Sequence, residues 1–240
     1  MYDSMKDISK ITVAILAGGL GTRLTPVLQG YPKVLADIHH RPFLFYLFDL
    51  IAAHGGSQVV LCTGYRAELV EQVIAETYEG PLQISYSRET EPLGTGGALR
   101  HCLGKVKSDH FLALNGDSFV RCDLNAYAAW CMDRGARAGL FLTRVSDTSR
   151  FGRVDLDNNG RVTTFSEKSA CQGEGFINAG IYFFRKDVLS GYPGHKPISL
   201  EKEIFPELIN TGLYGYLGKG DFIDIGTPES YEAAERFFQS

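Results

Sequence analysis

Arg23 and Lys33 follow the strand-like run Ile11-Thr12-Val13-Ala14-Ile15-Leu16 and the glycine-rich turn Ala17-Gly18-Gly19-Leu20-Gly21-Thr22. Their chemistry is that of phosphate. An arginine offers a planar fork and a lysine a mobile point charge, both suited to phosphate oxygens. Glycines lack a Cβ, so backbone N–H groups approach an anion or a base edge closely. The segment from Leu16 to Lys33 therefore reads as a cradle for a triphosphate. Two better-known phosphate loops do not fit it. A dinucleotide fingerprint needs G-x-G-x-x-G, but counted from Gly19-Leu20-Gly21 its last place is Leu24; a P-loop needs G-K-[ST], and no such triplet follows.

Further segments carry polar groups just after apolar runs, where open α/β sheets place their ligands. Glu91-Pro92-Leu93-Gly94-Thr95-Gly96-Gly97-Ala98-Leu99 is a glycine turn before a helix, suited to pack its backbone against a nucleobase with the helix N-terminus facing the nucleotide. Leu114-Asn115-Gly116-Asp117 puts a carboxylate directly behind a strand, and Phe222-Ile223-Asp224-Ile225-Gly226 sets another between apolar residues. A buried carboxylate needs a cation or strong hydrogen bonds, and two converging on a triphosphate form a hard-oxygen site for Mg²⁺. Phe165-Ser166-Glu167-Lys168 and Phe176-Ile177-Asn178-Ala179-Gly180-Ile181-Tyr182 offer Glu167 and Asn178 to sugar hydroxyls and Lys168 to a sugar phosphate, over a floor kept small by Gly180. Taken singly these are ordinary features. Glycine turns, aspartates at strand ends and Glu-Lys neighbours are mostly structural or solvated.

In this order, together, they resemble the sugar-1-phosphate nucleotidyltransferases. The string from Gly18 to Lys33 is similar to that family's G-G-x-G-T-R-L-x-P-x(n)-P-K, Pro92 to Leu99 to its P-L-G-T-[AG]-G-A-L, and Glu167-Lys168 and Asn178 to Tyr182 to its E-K and N-[AG]-G-I-Y segments. The departure is Val34, where many members have a second proline; it touches loop stiffness and not the cations. The resemblance runs from residue 11 to 238 and implies transfer of a nucleoside monophosphate from an NTP to a sugar 1-phosphate, with release of pyrophosphate. It implies Arg23, Lys33 and Lys168 as catalytic cations, and Leu16, Ala17, Gly18, Gly19, Gly21, Thr22, Pro92, Gly94, Thr95 and Gly96 around the nucleotide. Asn115, Glu167, Asn178 and Gly180 would line the sugar, and Asp117 and Asp224 would hold Mg²⁺. None of the six histidines falls in these motifs, and none is required. A phosphate monoester has a second pKa of about 6, so its oxygen is already an anion near neutral pH. Catalysis then reduces to holding two anions in line and neutralising charge on the α-phosphate and the departing pyrophosphate.

Within the family, the compact length and the strings around Asn178 and Asp224 look most like the guanylyltransferases of D-glycero-D-manno-heptose 1-phosphate, which implies GTP. Mannose 1-phosphate with GTP is the near rival, ahead of thymidylyl or uridylyl transfer to other sugars. From other classes, a catalytically silent nucleotide-sugar sensor tends to lose the arginine or a metal carboxylate, both present here. A dinucleotide-dependent oxidoreductase lacks its third glycine, and no acidic residue ends the second strand at Cys62-Thr63-Gly64.

The elements that must position these residues alternate in type. Strands are expected near 11–16, 59–62, 82–86, 111–114, 138–145 and 177–184, with a hairpin turning at Asn158-Asn159-Gly160 and one or two short strands around 214–223. Helices are expected near 43–54, 66–77, 97–104, 123–134 and 199–210, with a closing helix from Pro228. This pattern predicts one α/β domain over 1–240, a Rossmann-like, mixed, mostly parallel sheet with helices on both faces and no C-terminal β-helix. Residues 1–10 read as a loose arm, 11–135 as the nucleotide-binding half and 136–240 as the sugar-phosphate half. A chain of 240 residues with 44% hydrophobic content buries a full core. No apolar run approaches the ~20 residues of a membrane span, and the first strand starts too early for a cleavable signal, so a cytoplasmic protein is expected, as monomer or homodimer, with no membrane partner. A net charge of −4 argues against nucleic acid. Five cysteines without a C-x-x-C pair read as buried thiols.

Overall fold

The structure is a computed structural model that describes residues 7–166, 173–194 and 196–239. Its spine is β1 (Thr12–Ala17), flanked by β4 (Gln58–Thr63) and β6 (His110–Asn115), both parallel to it. All three are near-continuous apolar runs because both sheet faces are covered. The main sheet runs β12 (Leu213–Leu217), β8 (Ala138–Val145), β11 (Gly175–Arg185), β6, β1, β4, β5 (Gln83–Arg88), in which β11 alone is antiparallel to its neighbours. The hairpin of β9 (Arg153–Leu156) and β10 (Val162–Ser166) lies beside the first half of β11. Two small ladders complete the strands, β2 (Asp37–Ile38) with β3 (Arg41–Pro42), and β7 (Ser118–Val120) with β13 (Phe222–Asp224).

Alternate residues of β1 serve opposite layers. Val13 and Ile15 pack into a core completed by α2 (Phe43–Ala53), α3 (Ala67–Thr77), α5 (Leu124–Asp133) and α8 (Pro228–Gln239), whereas Ala14 faces α4 (Gly94–Cys102), α6 (Lys186–Ser190) and α7 (Phe205–Leu208). A four-residue helix, α1 (Thr25–Leu28), lies in the loop after β1. The chain adds β4 and β5 on one side of β1 and then returns to add β6 on the other. Strand order therefore reverses at the β1/β6 boundary, and a crevice opens outside the carboxyl ends of those strands.

The expected mostly parallel sheet with helices on both faces is present, and three details differ from the sequence reading. Ile8–Lys10 form a 3₁₀ turn with Ile8 fully buried and its N–H donated to Asn125 Oδ1 at 2.9 Å, so these residues are packed and not a loose arm. The helix expected at 199–210 is a π turn, Leu200–Ile204, followed by α7. Pro206 has no N–H to continue the i→i−4 ladder, and the Phe205 N–H reaches the Leu200 carbonyl instead. The strands expected around 214–223 are β12 and β13, which belong to different sheets. Cys62, Cys102 and Cys131 are buried free thiols and Cys122 is half-buried; Cys171 lies outside the described residues. Among the described residues, no helix is long and apolar enough to cross a membrane.

Candidate active site

The loop after β1 and the turn after β6 are locked side by side. The Gly116 N–H donates to the Leu16 carbonyl at 2.9 Å, which sets Asp117 next to the glycine loop. Leu24, fully buried, pins the far end of that loop, and its N–H donates to the Gly21 carbonyl. Arg23 beside it is exposed at the mouth of a cleft of about 710 Å³. Lys33 is held more firmly. Its side chain is 11% exposed, lies over Gly21 where a Cβ would stand 3.2 Å from the Lys33 Cβ, and ends 2.7 Å from Asp117 Oδ2. Leu16, Ala17, Gly18, Gly19, Gly21 and Thr22 all line this cleft.

The second glycine segment is divided between the cleft and the packed interior. Pro92, Gly94 and Thr95 line the cleft, but Gly96 does not. The N–H groups of Gly96 and Gly97, at the start of α4, donate to the Ile198 carbonyl at 2.8 and 3.2 Å. Two of the four N–H groups at the helix start are therefore taken by the chain itself, while Gly94 and Thr95 stay in the cleft lining. The glycines permit this. A Cβ on Gly94 would stand 2.6 Å from the Ile198 carbonyl oxygen, and one on Gly96 would stand 2.6 Å from Ile204 Cδ1. Thr95 turns its hydroxyl to accept the Leu200 N–H at 2.9 Å.

What fills the space between the two glycine segments is Glu89, a residue the motifs did not single out. It follows β5, and its Oε2 accepts the Leu93 N–H at 2.7 Å. Its Oε1 lies against the glycine loop, where a Cβ on Gly18 would come within 2.5 Å of it. Burial raises the Glu89 carboxyl above the ordinary glutamate value, against the opposing pull of the Leu93 N–H.

At the opposite end Asp117 lines the cleft, and the β7/β13 ladder sets Asp224 just behind that lining, against Gly226, which is part of it. Asp224 is paired with Ser118, and the Ile225 N–H donates to the Asp117 carbonyl at 2.9 Å. Each carboxylate has attracted a cation, Lys33 at Asp117 and Arg150 at Asp224 with both oxygens 3.2 Å from Nη2. Among the described residues no group of three or more His, Cys, Asp or Glu ligands converges. Mg²⁺ is nevertheless commonly held by one or two carboxylates plus substrate phosphates and water, and these two hard-oxygen donors fit that pattern.

Of the sugar-side residues, Asn115 lines the cleft, whereas Asn178 and Gly180 sit behind it. Asn178 is engaged within the protein, Nδ2 donating to the Tyr182 hydroxyl at 2.9 Å and Oδ1 accepting the Gly180 N–H at 3.0 Å. Gly180 has φ +79°, and a Cβ there would meet Asn115 Nδ2 at 2.8 Å, so this glycine lets β11 bend against Asn115. Glu167 and Lys168 lie outside the described residues. A larger groove of about 1300 Å³ runs between the β9–β10 hairpin and β12. Its charges are largely spent on each other, Arg144 with Glu174 and Arg153 with Asp155, and the phosphate-type loops do not reach it.

A cleft at a strand-order reversal, floored by a glycine loop, with cations and paired carboxylates at one end, is the site of a nucleotide-handling enzyme. The family model described as "Nucleotidyl transferase" matches residues 12–240, and the chain belongs to that family. Among curated relatives, the mannose-1-phosphate guanylyltransferase of Mycobacterium tuberculosis is 36% identical over 225 residues, which are 92% of this chain and 63% of that protein. The chain thus spans less than two thirds of that relative's length. The D-glycero-alpha-D-manno-heptose 1-phosphate guanylyltransferase of Aneurinibacillus thermoaerophilus is 35% identical over 226 residues, covering 94% of this chain and 97% of that one. The crystal structure of HddC from Yersinia pseudotuberculosis complexed with GMP-PN superposes with a TM-score of 0.86 at 33% identity, covering 95% and 99% of the two chains.

Proposed function

We propose that this protein transfers GMP from GTP to D-glycero-D-manno-heptose 1-phosphate, giving the GDP-sugar and pyrophosphate. The observation that carries the base is Glu89. A carboxylate presents acceptors only, and guanine presents N1–H and N2–H₂ side by side, so the two edges match as a fork. Uracil and thymine offer one N–H flanked by carbonyls, and adenine an acceptor beside an amino group, each setting an acceptor against the carboxylate. The guanylyltransferases among the relatives, and the GMP-PN complex of the HddC structure, support the same base. The heptose is supported by relatives that act on heptose 1-phosphate and match along 97% and 95% of their own lengths. Mannose 1-phosphate is the second reading, because the Mycobacterium tuberculosis enzyme is 36% identical.

In the reaction, an oxygen of the sugar phosphate attacks the α-phosphorus, the bond to the bridging oxygen breaks, and pyrophosphate leaves with the electron pair. Arg23 at the mouth and Lys33 at the floor neutralise charge on the phosphates, Gly19, which has open space where a Cβ would stand, admits the nucleotide against backbone, and Asn115 contacts the sugar. Lys168 and Glu167 would complete the sugar-phosphate side, with Asn178 and Gly180 holding Asn115 in place from behind. Mg²⁺ bound by Asp117 and Asp224 would supply charge neutralisation on the phosphate oxygens. Substrates of this kind fit a cytoplasmic enzyme working as a monomer or homodimer without nucleic acid or membrane. The test is a matrix of GTP, ATP, UTP and dTTP against heptose, mannose and glucose 1-phosphates, scored by pyrophosphate release. GTP with heptose 1-phosphate is expected to give the highest kcat/KM, and a higher value for another pair would replace this assignment.

A further inference from the structure

We propose that Arg150 is a displaceable counter-cation: it occupies Asp224 until a divalent cation enters, then gives up the carboxylate and turns to the triphosphate that arrives with the metal. This rests on the reading of Asp224 as a metal ligand.

Arg150 was not marked by any motif, and its grip on Asp224 is loose for an arginine. One nitrogen, Nη2, straddles both carboxylate oxygens at 3.2 Å. A charge-assisted pair of full strength is shorter, about 2.7–2.9 Å, and uses two guanidinium nitrogens in parallel. The neighbouring pair shows the contrast in distance, since Lys33 reaches Asp117 at 2.7 Å, and in the cation, Lys33 being 11% and Arg150 47% exposed, although Asp224 at 18% is more buried than Asp117 at 45%. A pair held by one nitrogen of a half-exposed guanidinium is weaker than a buried bidentate one.

The base of the side chain is nevertheless fixed. Arg150 sits in the loop between β8 and β9, where the Phe151 N–H closes a turn onto the Thr148 carbonyl. The Phe151 ring packs edge-on against Phe222 at 5.5 Å, two residues before Asp224. The Cα is thereby held beside β13, and the guanidinium lies over the Phe151 ring, its Cζ 5.3 Å from the centroid, as well as against Asp224. The carboxylate keeps its orientation when Arg150 leaves, because Asp224 Oδ2 also accepts the Gly226 N–H at 2.8 Å and the Ser230 hydroxyl at 3.4 Å. Among the described residues, Oδ1 has no partner besides Arg150. Oδ1 is thus the oxygen a metal would take, and a dication there cannot share the carboxylate with a guanidinium only 3.2 Å from it. The incoming triphosphate supplies the replacement anion. Metal affinity then depends on nucleotide through Arg150, a coupling that must be reciprocal.

The experiment is a Mn²⁺ titration followed by electron paramagnetic resonance, on wild type, Arg150→Gln, Asp224→Asn and the double variant, each with and without guanosine 5′-(β,γ-imido)triphosphate. Without nucleotide, Arg150→Gln should bind Mn²⁺ about 5- to 10-fold more tightly than wild type. Asp224→Asn should weaken binding and erase the difference between the two backgrounds. With the nucleotide analogue, the gain in Mn²⁺ affinity should be larger in wild type than in Arg150→Gln. Unchanged or weaker Mn²⁺ binding in Arg150→Gln, with Asp224→Asn still impaired, would overturn the displacement while leaving Asp224 a ligand. If Asp224→Asn binds Mn²⁺ like wild type, the metal assignment itself fails and the proposal goes with it.

Discussion

Replacing Glu89 by Gln tests the base assignment with the smallest possible change of shape. The Leu93 N–H still finds the amide oxygen, so the hydrogen bond of 2.7 Å that fixes the side chain survives. What changes is the edge offered to the base, from two acceptors to one acceptor and one NH₂ donor. Guanine then meets a donor against a donor and also loses the anionic partner. A hydrogen bond to a charged group is worth roughly 1.5–3 kcal/mol, so kcat/KM for GTP should fall about 10- to 100-fold. Uracil and thymine present N3–H beside a carbonyl, which an amide matches, so UTP and dTTP should improve. Steady-state kinetics with each NTP at saturating sugar 1-phosphate measure both changes. The wild-type pH profile gives a second readout. Burial raises the Glu89 carboxyl, and guanine needs it ionised, so KM for GTP should climb as pH falls through that raised value, whereas the Gln variant should lack this limb. If GTP kinetics and NTP ranking are the same in both proteins, the base is read elsewhere and the reasoning from edge matching is refuted.

Gly18→Ala should raise KM for GTP with little loss of fold, because its Cβ would sit 2.5 Å from Glu89 Oε1 and push the carboxylate out of register; a normal KM would show that Glu89 need not stay where it lies. Arg23→Ala should lower kcat far more than it weakens nucleotide binding, on the order of 10³-fold by comparison with arginines in phosphoryl transfer, and near-normal turnover would remove it from the chemistry. Asp117→Asn and Asp224→Asn should each remain folded by circular dichroism yet retain little activity in Mg²⁺, since a neutral amide is a poor ligand for a hard dication; wild-type activity in excess EDTA would be incompatible with the scheme.

The cations and carboxylates were legible because they fall directly behind apolar runs, and the strand-order reversal at β1 and β6 then brings Arg23, Lys33 and Asp117 to one cleft. Glu89 obeyed the same positional rule at the end of β5, but a lone glutamate there carries no motif, and it takes the fold to set it against Gly18, Gly64 and the Leu93 N–H. The partner of the Gly96 and Gly97 N–H groups is not legible for a different reason. Glycines before a helix signal close approach, and the sequence does not say of what; the partner is the Ile198 carbonyl, from a distant segment. The break at Pro206 was readable from proline chemistry alone and was overridden by the helical pattern of its neighbours. Arg150 had no sequence signal, since its loop is placed against β13 by one ring contact, Phe151 on Phe222.

Closing the α4 N-terminus has an electrostatic consequence for how a nucleotide can enter. A free helix start near Pro92 and Gly94 would attract phosphate to the end of the cleft that holds Glu89. With the Gly96 and Gly97 N–H groups spent on Ile198, that end offers a carboxylate and a weakened helix start, while the cationic groups Arg23 and Lys33 lie along the β1 loop toward Asp117. A nucleotide entering tail first would press its triphosphate against Glu89 and leave its base over Lys33, losing charge pairing at both ends. Entered base first, it meets the acceptor edge with guanine and the cations with phosphate. On this reading the two glycine segments differ despite their similar composition: Gly18 makes room for the Glu89 carboxylate, and Gly94 and Gly96 let the chain close on the Ile198 segment.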